Sequence, residues 1–208
     1  KNYHRALRHR NKLLKDARFS NSPEIVGWEK QITQEAEKID SMREKYVGSL
    51  NEILNKKHLP SVLPGSARIS YLKNEYDANG LAEALIKNRK EDAKKGYTSL
   101  GPHRADILFY YQDIKVEKHL SRGQTKLFAA SLVSAQIEKL KEKGITPIML
   151  VDDLSAELDQ KAAEKMLKLL LANKVQTFVT SIKQPSKQKR QNDNIAVFHV
   201  EHGAIKKC

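Results

Sequence analysis

Apolar residues recur every three or four positions through the first quarter of the chain, which is the period of an amphipathic helix. A first, strongly basic helix is predicted from the spacing of Tyr3, Leu7, Leu14 and Phe19. A second helix is predicted to begin at Pro23, after the N-cap residue Ser22, and to continue to about Lys57, a length of roughly 50 Å. Its apolar stripe consists of Ile25, Trp28, Ile32, Ala36, Ile39, Met42, Tyr46, Leu50 and Ile53. We expect the two helices to pair as an antiparallel arm that serves mainly as support, because apolar stripes usually pack in a core.

Turn-forming residues then divide the middle of the chain. Two prolines and a glycine in 59–65 end the long helix, and residues 66–74 alternate between apolar and polar like a strand. An Asn-Gly turn precedes a helix predicted over 81–95, which Gly96 closes. The turn-rich stretch after Gly96 is the predicted domain boundary, with a helical arm over 1–100 and a second lobe over 101–208.

The second lobe alternates predicted strands and helices, which favours an α/β fold with a largely parallel sheet. The expected strands are 106–112, 114–120, 147–152, 175–182 and 195–203, and the expected helices follow Gly123 and cover 160–172. The apolar run from Ile148 to Val151 is expected to be a buried strand.

Charge and composition narrow the possible functions. The net charge of +13, from 38 basic and 25 acidic residues, favours a polyanionic partner such as nucleic acid, although a merely solvated basic surface is as good an interpretation. The first eighteen residues carry seven of these basic side chains against one acid, Asp16. No apolar run is long enough for a spanning helix, and the N-terminus lacks the apolar centre of a secretory signal, so we expect a cytoplasmic protein without membrane contact.

Cysteine and histidine usage argues against two further classes of site. The single cysteine, Cys208, has no partner for a disulfide. His199 and His202 lie within a predicted strand at positions that point to opposite faces, which disfavours a shared zinc ion.

Paired carboxylates follow the apolar run of the second lobe. Asp152 and Asp153 come at the carboxyl end of the predicted strand, where α/β sheets collect ligands. Adjacent acids repel each other unless a cation intervenes, and Mg²⁺ prefers a few carboxylate or water oxygens together with substrate phosphates. We therefore expect Asp152 to hold Mg²⁺ and Asp153 to orient or deprotonate a water molecule. The alternative is an acid pair that only caps the next loop.

Two polar segments flank this carboxylate pair. In "LSRGQ", Ser121 is an N-cap candidate, Gly123 permits close backbone approach and Gln124 offers an amide, all at the positive end of a helix that can bind anions. Such a segment on its own is commonly just a cap. Asp159, seven residues after Asp152, stands at the start of the next helix, where capping is the favoured interpretation from the sequence alone.

Taken together, "LSRGQ", an apolar strand ending in "DD", and "LSAELD" resemble the signature motif, Walker B strand and D-loop of ABC-type ATPases of the SMC branch. "GPHRAD" and "VFHVEHG" are similar to the RecF family of bacterial recombination and gap-repair proteins. The resemblance implies the C-terminal lobe of an ABC/SMC-type P-loop ATPase preceded by a helical arm. It also implies an ATP- and Mg²⁺-dependent homodimer that clamps single-stranded or gapped duplex DNA in the bacterial cytoplasm, with RecO and RecR mediator proteins as partners and a link to the SOS response.

The same resemblance assigns roles to individual residues. Ser121, Arg122, Gly123 and Gln124 would meet the γ-phosphate of the nucleotide held by the other subunit. Asp152 would serve Mg²⁺, Asp153 would occupy the hydrolytic base position, and Asp159 would lie at the dimer seam. In the switch segment, where transporters carry histidine, this chain offers Thr180 or Ser181. Asp153 stands where many relatives carry glutamate, a substitution that suggests slow turnover.

No phosphate loop of the form GxxxxGK[ST] is present in the chain. Gly96 and Gly101 have the right spacing, but Pro102 and His103 replace the lysine and the hydroxyl residue. In the resembled family this loop precedes the arm, so we expect the chain to be the C-terminal part of a longer protein. That protein would be a weak DNA-stimulated ATPase, whereas this chain alone would not hydrolyse ATP. The alternatives are another ABC/SMC-type ATPase subunit, such as that of a transporter, and a purely structural interaction module.

Overall fold

The computed structural model of the chain describes residues 1–16, 22–74, 76, 80–154, 157–182 and 195–207. Its helices are α1 (Asn2–Leu14), α2 (Pro23–Ile53), α3 (Gly80–Lys87), α4 (Arg89–Lys95), α5 (Val116–His119), α6 (Arg122–Glu142) and α7 (Gln160–Ala172). Its strands are β1 (Ala67–Leu72), β2 (Asp106–Tyr111), β3 (Ile114–Lys115), β4 (Met149–Val151), β5 (Thr177–Val179), β6 (Phe198–Glu201) and β7 (Ala204–Lys207). Phe19 and Cys208 lie outside the described residues.

The predicted arm is present as the antiparallel pair α1 and α2. Helix α2 starts as the sequence indicates, because the Ser22 hydroxyl accepts a hydrogen bond from the Ile25 N–H at 3.4 Å and Pro23 needs no acceptor. The α-helix ends at Ile53 and continues as a π-helical turn over Leu54–His58, so the predicted end at Lys57 is close. Tyr3 and Ala6 pack with Ile32 and Ala36 of α2, and with Leu81 and Leu85 of α3.

The arm departs from its predicted pattern at two places. Met42 and Tyr46 were expected in the apolar stripe, yet they are 67% and 41% exposed. The neighbouring Asp40 is buried instead, and its carboxylate accepts a hydrogen bond from the Tyr71 hydroxyl at 2.5 Å. Arg43 is exposed and donates to the Pro102 carbonyl at 2.6 Å. The helix predicted over 81–95 is also divided at Asn88 into α3 and α4, although Gly96 closes it in the left-handed conformation as expected (φ 72°).

The described strands form three separate sheets, so the prediction of a largely parallel sheet is wrong for the described part of the chain. β1, β2 and β3 are antiparallel, β4 and β5 are parallel, and β6 and β7 form a hairpin. The predicted strand over 114–120 is wrong beyond β3, since α5 follows at once. The predicted last strand pairs with β7, which the sequence pattern did not indicate. The sequence predicts a domain boundary near residue 100, between the arm and the second lobe. Strand β1 lies before that boundary and β2 after it, and the two strands pair in one sheet.

The largest apolar core lies between the end of α2, the β1–β2 sheet and α6. Leu54, Leu59, Ile69, Leu127 and Phe128 are among its buried members, and each is at most 5% exposed. This packing fixes the first turns of α6 against the rest of the chain. No helix within the described ranges is both long and apolar enough to cross a membrane.

Candidate functional site

Helix α6 begins with a complete capping box. The Ser121 hydroxyl accepts from the Gln124 N–H at 3.3 Å, and the Gln124 side-chain oxygen accepts from the Ser121 N–H at 2.9 Å. This confirms Ser121 as the N-cap and satisfies two of the N–H groups that every helix start leaves open. Ser121, Arg122 and Gln124 are exposed, so the positive end of the helix faces outward.

Gly123 brings this helix start into contact with the segment that precedes α7. A Cβ atom at Gly123 would lie 2.9 Å from the backbone oxygen of Glu157 and 3.4 Å from Leu158 Cδ2. The glycine is therefore required by close backbone approach. Arg122 Nη1 also lies 3.5 Å from Glu157 Oε1, which adds an exposed ion pair to the same junction. The predicted signature segment and the predicted D-loop thus touch within one chain.

Asp152 and Asp153 are joined to the end of β5 through Thr180. The Thr180 hydroxyl donates to Asp152 Oδ1 at 2.6 Å and accepts from the Asp153 N–H at 2.8 Å. Backbone hydrogen bonds from Thr180 N–H to Val151 and from Leu154 N–H to Thr180 extend the parallel pairing on both sides. Asp153 has a left-handed backbone (φ 45°), which is uncommon for a residue with a side chain and turns the chain sharply after the strand.

The strand that delivers these acids is buried on one face only, which corrects the prediction of a buried strand. Met149 is buried against α6 and α7, with Ile137 and Leu170. Ile148 and Leu150 are 62% and 76% exposed, as is the paired Phe178 at 55%. The sequences of parallel strands are continuous apolar runs when both faces of the sheet are covered. Among the described residues, only one face of β4 and β5 is covered.

Asp159 is the N-cap of α7, as the sequence alone favours. Its side chain accepts from the Ala162 N–H at 2.7 Å, and its carboxylate remains exposed. The carboxylate also complements the positive end of the helix.

The predicted site residues therefore fall into two groups, and the members of each group are in contact with one another. One group joins Ser121, Arg122, Gly123 and Gln124 to the segment just before Asp159, and the other joins Asp152 and Asp153 to Thr180. The exposed carboxylate of Asp152 beside a hydroxyl suits Mg²⁺, which takes few protein ligands and completes its shell with water and phosphate oxygens. The described residues contain no cluster of three or more His, Cys, Asp or Glu side chains that would bind a metal ion by themselves.

The "GPHR" segment packs against the arm. Tyr3 Oη is 2.7 Å from His103 Nδ1, and His103 Nε2 is 3.0 Å from the Thr98 carbonyl. Since a carbonyl can only accept, the Nε2 atom carries the proton and Nδ1 accepts from the tyrosine. Burial lowers the pKa of His103, which keeps the ring neutral.

The structure also contains a buried polar network that sequence reasoning missed. Arg10 is fully buried and donates to Glu29 at 3.0 Å, to Asp92 at 2.7 Å, to Thr98 at 2.8 Å and to the Leu85 carbonyl at 3.0 Å. A second arginine, from α4, forms three further bonds of 2.9, 3.2 and 2.5 Å to the same glutamate. The available signal was the position of Arg10 four residues from both Ala6 and Leu14, on the buried face of its helix.

Comparison with known proteins identifies relatives of this chain. The chain is 35% identical to the DNA replication and repair protein RecF of Shewanella loihica, over 98% of this chain and 57% of that protein. It is also 35% identical to RecF of Stenotrophomonas maltophilia, over 98% of this chain and 56% of that protein. The chain therefore spans a little more than half the length of these curated relatives.

A solved structure and a family model also match this chain. One solved structure is that of the recombination mediator protein RecF with ATP, in the RecFOR pathway. It superposes on this chain with a TM-score of 0.75 at 23% identity. The match covers 100% of this chain and 57% of the RecF chain. At that identity the likeness concerns the fold. The family model described as the RecF/RecN/SMC N terminal domain matches residues 6–206. Because that match covers nearly the whole sequence, the chain belongs to the RecF/RecN/SMC N-terminal domain family.

Proposed function

We propose that this chain is the C-terminal part of a RecF-type, ATP-dependent DNA clamp that acts in recombinational repair and in the processing of replication gaps. The observation that carries the proposal is the contact of Gly123 with Glu157 and Leu158, because it sets an exposed helix start beside the segment that leads into α7. A helix start with open N–H groups is suited to the phosphates of a nucleotide held by a second subunit.

Each group of site residues has a distinct task in this proposal. Ser121, Arg122, Gly123 and Gln124 receive the γ-phosphate of the partner's ATP, and the capping box holds the helix start in shape until then. Asp152 holds Mg²⁺, whose charge would offset that of the phosphates. Asp153 orients or deprotonates the attacking water, Thr180 fixes both acids relative to β5, and Asp159 lies at the subunit seam.

The relatives extend the proposal to partners. Those proteins are named for DNA replication and repair, and the solved structures are assigned to the RecFOR pathway. We therefore propose single-stranded or gapped DNA, a second copy of the protein, and the RecO and RecR mediator proteins as partners. ATP and Mg²⁺ are the proposed cofactors, and the bacterial cytoplasm is the proposed location.

The first test measures phosphate release by the 208-residue chain with Mg²⁺-ATP and DNA. We expect no release above background, because the chain has no phosphate loop. Turnover that depends on Mg²⁺ and is abolished by Asp152→Ala would contradict this assignment.

The second test places Ser121→Arg in a longer protein that carries both a phosphate loop and this sequence. The bulky cation should block ATP-dependent dimerisation, measured by sedimentation velocity, while ATP binding by the monomer is retained. Lys168→Arg on α7, which is also exposed, serves as the control. Unchanged dimerisation of the Ser121 variant would exclude a subunit contact at this helix start.

A further inference from the structure

Helix α1 carries a line of basic side chains on the face that points away from the core. Arg5, Arg8, Lys12 and Lys15 follow one another at intervals of three and four residues, and all four are exposed. This spacing places them along one side of the helix. The opposite side is the one that packs, and it consists of Tyr3, Ala6, Arg10 and Leu14. We call Arg5, Arg8, Lys12 and Lys15 the basic line.

The basic line has no carboxylates on its own helix to balance it. Helix α1 contains no Asp or Glu, and none of the four side chains forms an ion pair with a residue in the described part of the chain. Some exposed lysines on other helices are paired locally, as in Lys38 with Glu35 at 3.0 Å and Lys94 with Glu91 at 2.8 Å. Such pairs are typical of a solvated face of mixed charge. The basic line differs from these pairs because its own helix supplies no carboxylate.

The helix that carries the basic line is held rigidly. The four hydrogen bonds of Arg10 reach α2, the end of α3, α4 and the segment after Gly96. On the rim of the same helix, the His9 ring stacks on Trp28 with centroids 4.3 Å apart and an interplanar angle of 5°. Lys15 Cε lies 3.6 Å from the position of a Cβ at Gly96, so the line ends beside the C-terminus of α4. The backbone that carries the charges is therefore held in place, which lowers the entropy cost of binding.

The chemistry of this array fits the phosphate backbone of duplex DNA. The ten steps from Arg5 to Lys15 cover about 15 Å of helix axis, which is enough to face about four successive phosphates of one strand. An anionic membrane surface fits less well, because the apolar face of α1 is buried in the arm and is not free to enter a lipid interface. A protein partner fits less well too, since the line includes no apolar residue to form the dry centre of an interface.

We propose that the basic line is a DNA-backbone contact that acts outside the nucleotide-binding edge and independently of ATP. This inference rests on the proposed function, because it presumes that DNA is the ligand of the protein. It adds the location of a DNA-contact surface on the arm, and it predicts that this chain alone binds DNA through that surface.

The test compares two double variants of the 208-residue chain by fluorescence anisotropy with a labelled duplex of random sequence, over a series of salt concentrations. Arg8→Gln with Lys12→Gln removes two charges from the basic line. Lys38→Gln with Lys168→Gln removes two exposed charges from α2 and α7, so both variants have the same net charge. Circular dichroism melts verify that each variant keeps the fold.

We expect the basic-line variant to weaken binding by on the order of tenfold near 0.15 M salt and to lower the slope of log affinity against log salt by about 1.8, which is about 0.9 for each phosphate that is no longer neutralised. The control variant should change the slope by less than half as much. Equal effects of the two variants would overturn the proposal, because they would mean that binding follows net charge. Failure of the unmodified chain to bind the duplex at any salt concentration would also overturn the proposal, because the surface is expected to act without ATP. The proposed function would instead be contradicted if a longer protein that carries both a phosphate loop and this sequence failed to bind DNA with Mg²⁺-ATP.

Discussion

The arm and the edge formed by the ends of β4 and β5 use charged residues in opposite ways. In the arm, Arg10 is fully buried and each of its bonds ends on another residue of the same chain. At the edge, Asp152 and Thr180 are exposed, and the Thr180 hydroxyl bonds to the Asp152 carboxylate and to the backbone of the next residue. A closed network fixes a shape, whereas an exposed polar edge leaves charge available for ligands. The comparison separates a region whose charges stabilise the fold from a region whose charges remain accessible to solvent.

Replacement of Arg10 by Met would break the closed network most directly. Glu29 and Asp92 would remain buried without one of their partners, so we expect the free energy of unfolding to fall by about 3–5 kcal/mol. Urea denaturation followed by circular dichroism measures this change. Arg8→Met is the matched control, because Arg8 lies two residues away on the exposed face and should change stability by less than about 0.5 kcal/mol. Similar destabilisation of both variants would show that the buried network does not stabilise the arm.

Substitution of Gly123 by Ala tests whether the edge is also closely packed at one point. The added Cβ would lie 2.9 Å from the Glu157 backbone oxygen, and backbone cannot move aside as a flexible side chain can. We expect a destabilisation of about 1–3 kcal/mol, with faster hydrogen exchange confined to the first turns of α6 and α7. Gly27→Ala in α2 is the control, because nothing lies within 4 Å of its Cβ position and alanine favours a helix by about 1 kcal/mol. Stabilisation by both substitutions would contradict the close approach.

Acidification should weaken the arm and its junction with α6. Burial lowers the pKa of both His58 and His103, so the folded state favours the neutral rings. Their contribution to stability is complete above the ordinary histidine pKa of about 6.5 and is lost as the pH falls through the lower folded values. We expect the urea midpoint to decrease between pH 7.5 and pH 5.5, with the smallest change of the three tests. His103→Gln should reduce this decrease, and an identical pH profile in the variant would contradict the role of His103.

Local sequence signals predicted the elements whose causes are themselves local. Ser22 before Pro23, Ser121 before α6, Asp159 before α7 and Gly96 after α4 all mark helix ends where expected. Each such end depends on hydrogen bonds or backbone angles within three or four residues.

Features that depend on distant residues were less accessible. The burial of Arg10 depends on Asp92, which is 82 residues away, and no local pattern reveals that pairing. The apolar run at 148–151 predicted a covered strand, but its period cannot tell how many faces other elements cover. The candidate site residues are predicted from the order in which the motifs occur, whereas the close approach of Gly123 to Glu157 needed coordinates.

The single hydroxyl of Thr180 has a consequence for how the two aspartates behave. It donates to the Asp152 carboxylate and accepts from the Asp153 N–H, so both aspartates are held by one side chain that directly follows β5. A shift of that strand by a fraction of an ångström would displace both acids together and in the same direction. Any movement of the end of β5 should therefore change amide hydrogen exchange at residue 153 and the infrared bands of the residue 152 carboxylate at the same time.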